Sequence, residues 1–400
     1  MMAANAVIIA GCVLAGILLA SRRIAENRLW RATITPLASI IGSGFLILAP
    51  VLQSSYGVWG PAVMAALVAT AWMFGAAVRR NIRVRGEGAD QRPRWDGRLD
   101  RLASWLLAFA YIISVAYYLN LFGAFGVSLT DVADQAHGRL LTSAAFLLIL
   151  LTGWTRGFSA LEHVEQIFVS VKLAVITGLL AGLCLFAWGE YQDGGVVLEA
   201  PVVTGWHALT LAFGLIVTVQ GFETSRYLGD TYSPVERIRT MRWAQYISAV
   251  IYLGYIGLVA ISFDGEGMPT GETAIVDMMR VVAPILPVLL VGAALSSQLS
   301  AAVADTAGTG GLFVELSGNR LPLRLAYLIL VGAGLGLTWF ANLYEIIAYA
   351  SRAFAAYYAV QSLIAARSAW RERAWIKVAA YGALTVLGVA ITVFGTPAEG

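Results

Sequence analysis

The sequence predicts an all-α protein that crosses a membrane about twelve times. Of its 400 residues, 59% are apolar and only 13% are charged, and the mean hydropathy is +0.74, more than a water-soluble core of this size requires. The apolar residues fall in runs of roughly 18 to 25, the length with which an α-helix crosses a hydrocarbon layer of ~30 Å. Helices are expected because lipid offers the backbone polar groups no other partner.

The apolar runs follow one another along the whole chain. They lie at 4–20, 33–53, 57–78, 102–126, 140–155, 166–188, 206–228, 243–263, 283–313, 323–340, 343–366 and 376–395. No basic residue precedes the first run, and Ser21, Arg22 and Arg23 follow it directly. We therefore expect a retained helix there and not a cleaved signal peptide.

Basic residues collect at every second junction between the runs, and such junctions lie in the cytoplasm of membrane proteins. They are found at Arg22 to Arg31, Arg79 to Arg101, Arg156, Arg237 to Arg242, Arg320 and Arg324, and Arg367 to Lys377. Junctions such as 128–138 and 264–277 contain neither Lys nor Arg and are expected to be periplasmic. This alternation predicts a multi-pass protein of the cell inner membrane with both termini outside.

Several classes of function lack their usual signals. The formal net charge is only +3 and its Arg residues flank membrane helices, so we expect the lipid bilayer and no nucleic acid as a partner. Cys12 and Cys184 lie inside apolar runs, and no cluster of His, Cys or carboxylates has metal-ligand spacing. No phosphate-binding loop or nucleophile elbow is present in the sequence. We expect no cofactor, no resident metal and no enzymatic activity.

The run at 33–53 is weakened at its middle by the sequence Gly42-Ser43-Gly44. Two glycines around a serine disfavour a continuous helix. One interpretation is a close-packing surface between helices. The other is an unwound segment whose free N–H groups, at the start of a second half-helix, bind an anionic group such as a carboxylate.

The run at 206–228 carries a second candidate break, where Gln220-Gly221-Phe222-Glu223 places a carboxylate deep in an apolar segment. Each break lies in the opening helix of a block of five crossings, and five crossings reverse the orientation of the second block. Such an inverted pair of interrupted helices indicates a binding site at the middle of the membrane. The predicted organisation is an extra N-terminal helix and linker at 1–30, two inverted repeats at 31–190 and 191–370, and an additional helix at 371–400.

Four stretches of this sequence resemble transporters of the amino acid, polyamine and organocation (APC) superfamily, in matching order over residues 30 to 370. They are Ala38 to Phe45; Gly221-Phe222-Glu223 with Asp230, Ser233-Pro234 and an Arg-rich turn; Leu295 to Pro322; and Val171-Lys172-Leu173. The sequence departs from the family pattern at Thr309-Gly310, at Met241 and in its extra first helix.

The resemblance implies a LeuT-type five-plus-five inverted repeat that works by alternating access. It implies a secondary transporter whose substrate is a small molecule, an amino acid or related amine. Backbone groups of Ile41, Gly42, Ser43 and Gly44 would hold the carboxylate of the substrate. Carbonyl groups at the second break would hold the amine; they belong to Val219, Gln220, Gly221 and Phe222.

Charged side chains inside lipid cost roughly 2.5 to 3.5 kcal/mol each, so each needs a partner or a role. Glu223 either pairs with Arg226 three residues on or acts as a protonatable gate. Asp305 either pairs with Arg352 across the bundle or belongs to the cytoplasmic pathway.

Lys172 is one of only two lysines among 27 basic residues. It either extends back to the membrane interface or occupies the cation position where sodium-coupled relatives of this fold hold Na⁺. In the second case its ammonium meets the carbonyls of Ala38 and Ile41 and the hydroxyl of Ser297. Because a buried lysine can exchange a proton, this predicts proton-coupled or ion-independent transport.

Ser296, Ser297 and Ser300 share part of one helix face by their spacing. These serines either serve helix packing or help to coordinate Na⁺. In the second case the ligands are oxygen atoms of Ala38, Ile41, Ser296 and Ser297. The second interpretation resembles the sodium/solute symporters, which remain the alternative family. A non-transporting membrane sensor on the same fold is a further alternative.

Overall fold

The computed structural model describes residues 2–42, 44–86, 94–155, 162–192, 199–228, 231–263 and 271–398, and within these ranges the chain is helical and contains no β-strand. The described α-helices are α1 (Met2–Ala20), α2 (Arg22–Ala25), α3 (Arg28–Ile40), α4 (Gly44–Tyr56), α5 (Gly60–Gly86), α6 (Arg94–Val127), α7 (Gln135–Thr155), α8 (Glu162–Gln192), α9 (Gly205–Gly214), α10 (Pro234–Ser262), α11 (Ala274–Val282), α12 (Leu286–Leu316), α13 (Leu323–Phe340), α14 (Leu343–Arg371) and α15 (Trp375–Phe394). Short 3₁₀ helices span Gly57–Trp59, Ile216–Val219 and Phe222–Tyr227.

Each of the twelve predicted apolar runs corresponds to a helix, or to an interrupted helix, in the same order. Eight segments of the described chain are long and apolar enough to cross a membrane, one of them spanning both α4 and α5. The other runs correspond to the shorter helix α1, to the interrupted region that begins with α9, and to α14. The prediction of an all-α polytopic membrane protein is confirmed.

The two interrupted helices run antiparallel and touch at both ends. At one end the Tyr56 hydroxyl, at the close of α4, donates a hydrogen bond of 2.6 Å to the carbonyl of Ala208 near the start of α9. At the other end Arg28, which opens α3, donates a bond of 2.8 Å to the carbonyl of Thr231, just before α10. Opposite chain directions are what an inverted repeat of the LeuT type requires. The residue boundaries given above for the two repeats stay a prediction.

The centre of the bundle is filled by aromatic side chains that surround the interrupted helices. Tyr252 and Tyr255 from α10 and Tyr358 from α14 are buried almost completely. The ring of Phe45 stacks on that of Tyr255 with centroids 4.3 Å apart, which packs α4 against α10. The hydrophobic core therefore lies around the helix breaks, which it holds in place.

The outer junction at 264–277 contains more structure than the sequence predicts. Residues 264–270 lie outside the described ranges, but α11 begins at Ala274, inside the predicted loop. Ile275 and Met279, four residues apart on this helix, are fully buried against the bundle. With 9 residues, α11 is too short to cross a membrane, and it covers one end of the core.

Candidate functional site

The first helix break lies where the sequence predicts it. Helix α3 ends at Ile40 and α4 begins at Gly44, with Ile41 in a non-helical conformation (φ −84°, ψ 54°). Ser43 lies outside the described residues. The interruption leaves the last carbonyl groups of α3 and the first N–H groups of α4 without partners inside a helix.

The second break is longer than predicted and begins earlier. Helix α9 ends at Gly214, and the chain continues as two 3₁₀ turns separated by Gln220 and Gly221. A side chain at Gly214 would lie 1.8 Å from the carbonyl of Thr396, so the end of α9 is pressed against the segment after α15. The hydroxyl of Ser351 from α14 donates to Gly214 O (2.6 Å) and accepts from Val217 N (3.0 Å). Ser351 thus replaces bonds that the unwound backbone lacks.

The two breaks are in direct contact. A Cβ atom at Gly44 would lie 2.6 Å from the Cβ of Thr218, and one at Gly221 would lie 2.3 Å from Ser39 Oγ. Gly221 also has a φ of +113°, which favours glycine. These glycines permit the close approach of two backbone segments that run in opposite directions.

Tyr252 joins the carbonyl groups of the two breaks and was not singled out by the sequence. Its fully buried hydroxyl lies 2.9 Å from the carbonyl of Ile40 and 2.6 Å from the carbonyl of Thr218. One hydroxyl proton can serve either acceptor. Tyr252 therefore couples the end of α3 to the unwound part of the second helix.

Lys172 on α8 reaches the first break. Its ammonium donates to the carbonyl of Ala38 (3.0 Å) and to the hydroxyl of Ser297 on α12 (3.1 Å). The residue is 6% exposed, so its side chain does not extend back to the membrane interface, and that interpretation is wrong. The contact with the Ile41 carbonyl stays a prediction. The ammonium links three helices at the position where the sequence suggests a bound cation.

The three serines of α12 have different surroundings. Ser297 and Ser300 line a cavity of about 40 Å³ together with Lys172 and Asp305. The Ser296 hydroxyl instead donates within its own helix, 3.0 Å from the carbonyls of Gly292 and Ala293. Ser296 does not line this cavity, whereas Ala38 and Ser297 do, and the set of four Na⁺ ligands stays a prediction.

Glu223 is buried at the second break, but its partners differ from the predicted one. Its carboxylate accepts hydrogen bonds from Gly221 N (3.0 Å) and from the hydroxyl of Tyr358 (2.6 Å). Arg226 forms its ion pair with Asp100 of α6 at 2.9 Å. The predicted pair between Glu223 and Arg226 is wrong because each side chain has a partner on another helix.

Asp305 also has a different partner. Its carboxylate accepts a hydrogen bond from the Ser114 hydroxyl of α6. Arg352, the predicted partner, is exposed and donates to the carbonyl of Thr392 at 2.7 Å. The predicted pair across the bundle is therefore wrong, and the position of Asp305 in a pathway to the cytoplasm stays a prediction.

The spaces beside the first break are small. Ile41, Gly42 and Phe45 line a cavity of about 20 Å³, which has room for roughly one water molecule. Gln298 faces the same cavity, and its side-chain oxygen is buried without a hydrogen-bond partner in the described chain. A polar atom left open in this way is a candidate for a substrate contact. This cavity is too small to hold an amino acid.

The described residues contain no group of three or more His, Cys, Asp or Glu side chains that could hold a metal ion. The chemistry available at the breaks is therefore that of one ammonium, buried carboxylates, hydroxyls and unpaired backbone groups.

Comparison with known proteins identifies the family. A family model described as an APC superfamily transporter matches residues 22–395, nearly the whole chain. An uncharacterised protein of Aquifex aeolicus (strain VF5) is 37% identical over 381 residues, which cover 94% of this chain and 92% of the relative. Together with the antiparallel interrupted helices, these matches assign the fold and the class of protein. The chain belongs to the APC superfamily of transporters.

Proposed function

We propose that this protein is a secondary active transporter of an amino acid or a related small amine, and that its transport is proton-coupled or independent of ions. The observation that carries the proposal is the position of the Lys172 ammonium on Ala38 O and Ser297 Oγ. The alternating basic junctions further support a place in the cell inner membrane with both termini outside.

The substrate class follows from the backbone groups at the two breaks. Helix α4 begins at Gly44, and its first N–H groups lie where the helix dipole favours an anion such as a carboxylate. The carbonyls of residues 219–222 suit an ammonium group, because the unwound backbone there has few helical partners. A molecule that carries both groups matches the pair of breaks.

Proton coupling follows from the type of cation at the first break. A lysine can lose its charge when it is buried, whereas a bound metal ion cannot. When charged, Lys172 holds α3, α8 and α12 together through its two hydrogen bonds. When neutral, it binds the carbonyl of Ala38 less strongly, which frees α3 to move. In this mechanism the state of one proton controls the opening of the first break.

The test is uptake of labelled amino acids and amines by purified protein in proteoliposomes, under separately imposed H⁺ and Na⁺ gradients. Lys172→Ala is expected to lower uptake at least about tenfold, since hydrogen bonds of a charged group contribute about 1.5–3 kcal/mol. Lys377→Ala is the matched control, because the second lysine is exposed at the start of α15. It should transport at the wild-type rate.

Three outcomes contradict the proposal. Near-normal uptake by Lys172→Ala would leave the lysine with a packing role only. Uptake driven by a Na⁺ gradient in the unmodified protein would favour the sodium/solute symporter mechanism instead. Failure of every amino acid and amine to be taken up would favour a membrane sensor on this fold.

A further inference from the structure

A separate cavity of about 220 Å³ lies at the end of the bundle that the sequence assigns to the periplasm. It is enclosed by the end of α6, the start of α7, the turn before α11 and the connection from α13 to α14. None of its lining residues lines the two small cavities beside the first break. The cavity is therefore distinct from the site discussed above.

Two opposite charges face this cavity without neutralising each other. Among the residues that the structure describes, Arg139 donates one hydrogen bond, of 3.4 Å, to the carbonyl of Ala341, which leaves most of its guanidinium group available. Glu272 forms no hydrogen bond or ion pair with any residue that the structure describes. Burial raises the pKa of Glu272, while the positive charge of Arg139 acts to lower it. The two side chains therefore interact electrostatically across the cavity.

The other acidic group at the cavity already has a partner. Both oxygens of Asp134 are occupied by the backbone N–H and the ring of His137, with distances of 2.9 and 2.7 Å. The amide of Asn120 donates to Thr338, and Asn342 caps the start of α14. Arg139 and Glu272 are thus the charged groups of this cavity that remain open to a ligand.

We propose that this cavity is a second, outer binding site for a small zwitterion, whose carboxylate binds Arg139 and whose ammonium binds Glu272. A guanidinium group binds carboxylates through two parallel hydrogen bonds. A ligand with both charges satisfies both side chains, whereas a ligand with one charge leaves the opposite group unpaired in a half-buried site. The volume is below the roughly 300–1,000 Å³ of pockets for drug-sized ligands, which suits a molecule of amino acid size.

The choice of amino acids as probes rests on the function proposed above, but the class of ligand rests only on the cavity. Each of the twenty standard amino acids is titrated singly into purified protein by calorimetry. A ligand of the outer site should show binding that Arg139→Gln and Glu272→Gln each weaken at least about tenfold, as expected for loss of a charged hydrogen bond. Exchange of the two charges, in Arg139→Glu with Glu272→Arg, should restore binding because a zwitterion can turn round.

Arg280→Gln is the matched control. This arginine lies on the neighbouring helix α11, is largely exposed and does not line the cavity. Its replacement changes the net charge by the same amount as Arg139→Gln. Binding by this variant should equal that of the wild type. Acetate and methylamine, which carry one charge each, should bind the unmodified protein at least tenfold more weakly than the amino acid, a comparison that requires no variant to fold.

Wild-type affinity in both Arg139→Gln and Glu272→Gln would overturn the outer site, as would equal binding of acetate or methylamine, or the absence of binding by every amino acid. The same experiments separate the two proposals. Loss of outer binding in these variants with no effect of Lys172→Ala on uptake would contradict the proposed function alone. Loss of uptake in Lys172→Ala with no charge dependence at the cavity would contradict the outer site alone.

Discussion

The two helix breaks carry opposite charges. At the first break the carbonyl of Ala38, near the C-terminal end of α3, accepts a hydrogen bond from the Lys172 ammonium. At the second break the N–H of Gly221, at the start of a 3₁₀ turn, donates to the Glu223 carboxylate. Carbonyl ends of helices attract cations and N–H ends attract anions. Each break therefore has an ionisable side chain bonded to its backbone.

The breaks differ in where their charged group comes from. Lys172 belongs to α8 and so ties the first break to the rest of the bundle. Glu223 belongs to the second break itself, in its second 3₁₀ turn, and contacts α14 through Tyr358. We therefore expect loss of a proton from Lys172 to loosen contacts between helices, and gain of a proton by Glu223 to change the unwound segment itself. The predictions below test this difference.

The largest effect is expected where the breaks touch. In Gly221→Ala the new Cβ would lie 2.3 Å from Ser39 Oγ and 2.6 Å from the backbone carbon of Ser39, at a φ of +113°. Because the backbone of α3 cannot shift far, we expect transport at background level and a reduced yield of folded protein. Gly271→Ala is the control, since Gly271 has a φ of +120° but no described residue within 4 Å of its Cβ position. Equal transport by the two variants would show that backbone conformation, and not contact between the breaks, limits this position.

The sequence predicts the features that depend on local chemistry. The glycines at 42 and 44 indicate the first break, and the scarcity of lysine singles out Lys172, whose contacts with Ala38 and Ser297 are present. Both depend on what a residue type can do inside lipid. The order of the twelve apolar runs follows from hydropathy alone.

The sequence does not predict which neighbouring helix supplies a partner. The three-residue spacing predicts that Arg226 pairs with Glu223. In the structure the guanidinium group of Arg226 pairs instead with Asp100 on α6. The early end of α9 at Gly214 depends on a contact with Thr396, far along the chain. Ser351 and Tyr252 satisfy the breaks, but nothing local distinguishes them from the other serines and tyrosines of apolar runs.

The charge at the second break is tested by Glu223→Gln. The amide side chain has nearly the same shape and can still accept the bond from Tyr358, but it cannot gain or lose a proton at this site. We expect the pH dependence of uptake to flatten while binding of substrate persists. Tyr358→Phe removes the hydrogen bond and keeps the carboxylate, so its pH profile should shift and keep its shape. An unchanged profile in Glu223→Gln would restrict the pH response to other groups, with Lys172 as the first to test.

The far end of the second break is held by the ion pair between Arg226 and Asp100, whose side chains are 5% and 14% exposed. Asp100→Asn leaves a buried arginine without its charge partner, a change that costs about 3–5 kcal/mol in dry interiors. It also removes the attraction to Arg85, which lies 3.7 Å from Asp100. We expect a clear fall in the thermal midpoint in detergent. Asp277→Asn is the control, because its pair with Arg280 is largely exposed and should contribute little. Similar midpoints for both variants would contradict a structural role for the buried pair.

The smallest effect is expected at the largely exposed ion pair between α3 and α10. In this pair Arg28, at the start of α3, lies 2.8 Å from Glu236, near the start of α10. Hydrogen bonds from Arg28 and Ser233 lower the pKa of Glu236 from 4.5 to about 2. A lowered pKa in the folded state means that the stabilisation is complete above pH 4.5 and is lost as the pH falls towards 2. Glu236→Gln should therefore have a slightly lower thermal midpoint than the wild type near neutral pH, and the difference should vanish in acid and shrink in high salt. Arg28→Gln should lower the thermal midpoint by the same amount, and the double variant should lose little more than either single variant. If the difference in midpoint between Glu236→Gln and the wild type stays constant with pH, the stabilisation comes from helix capping and not from the ion pair.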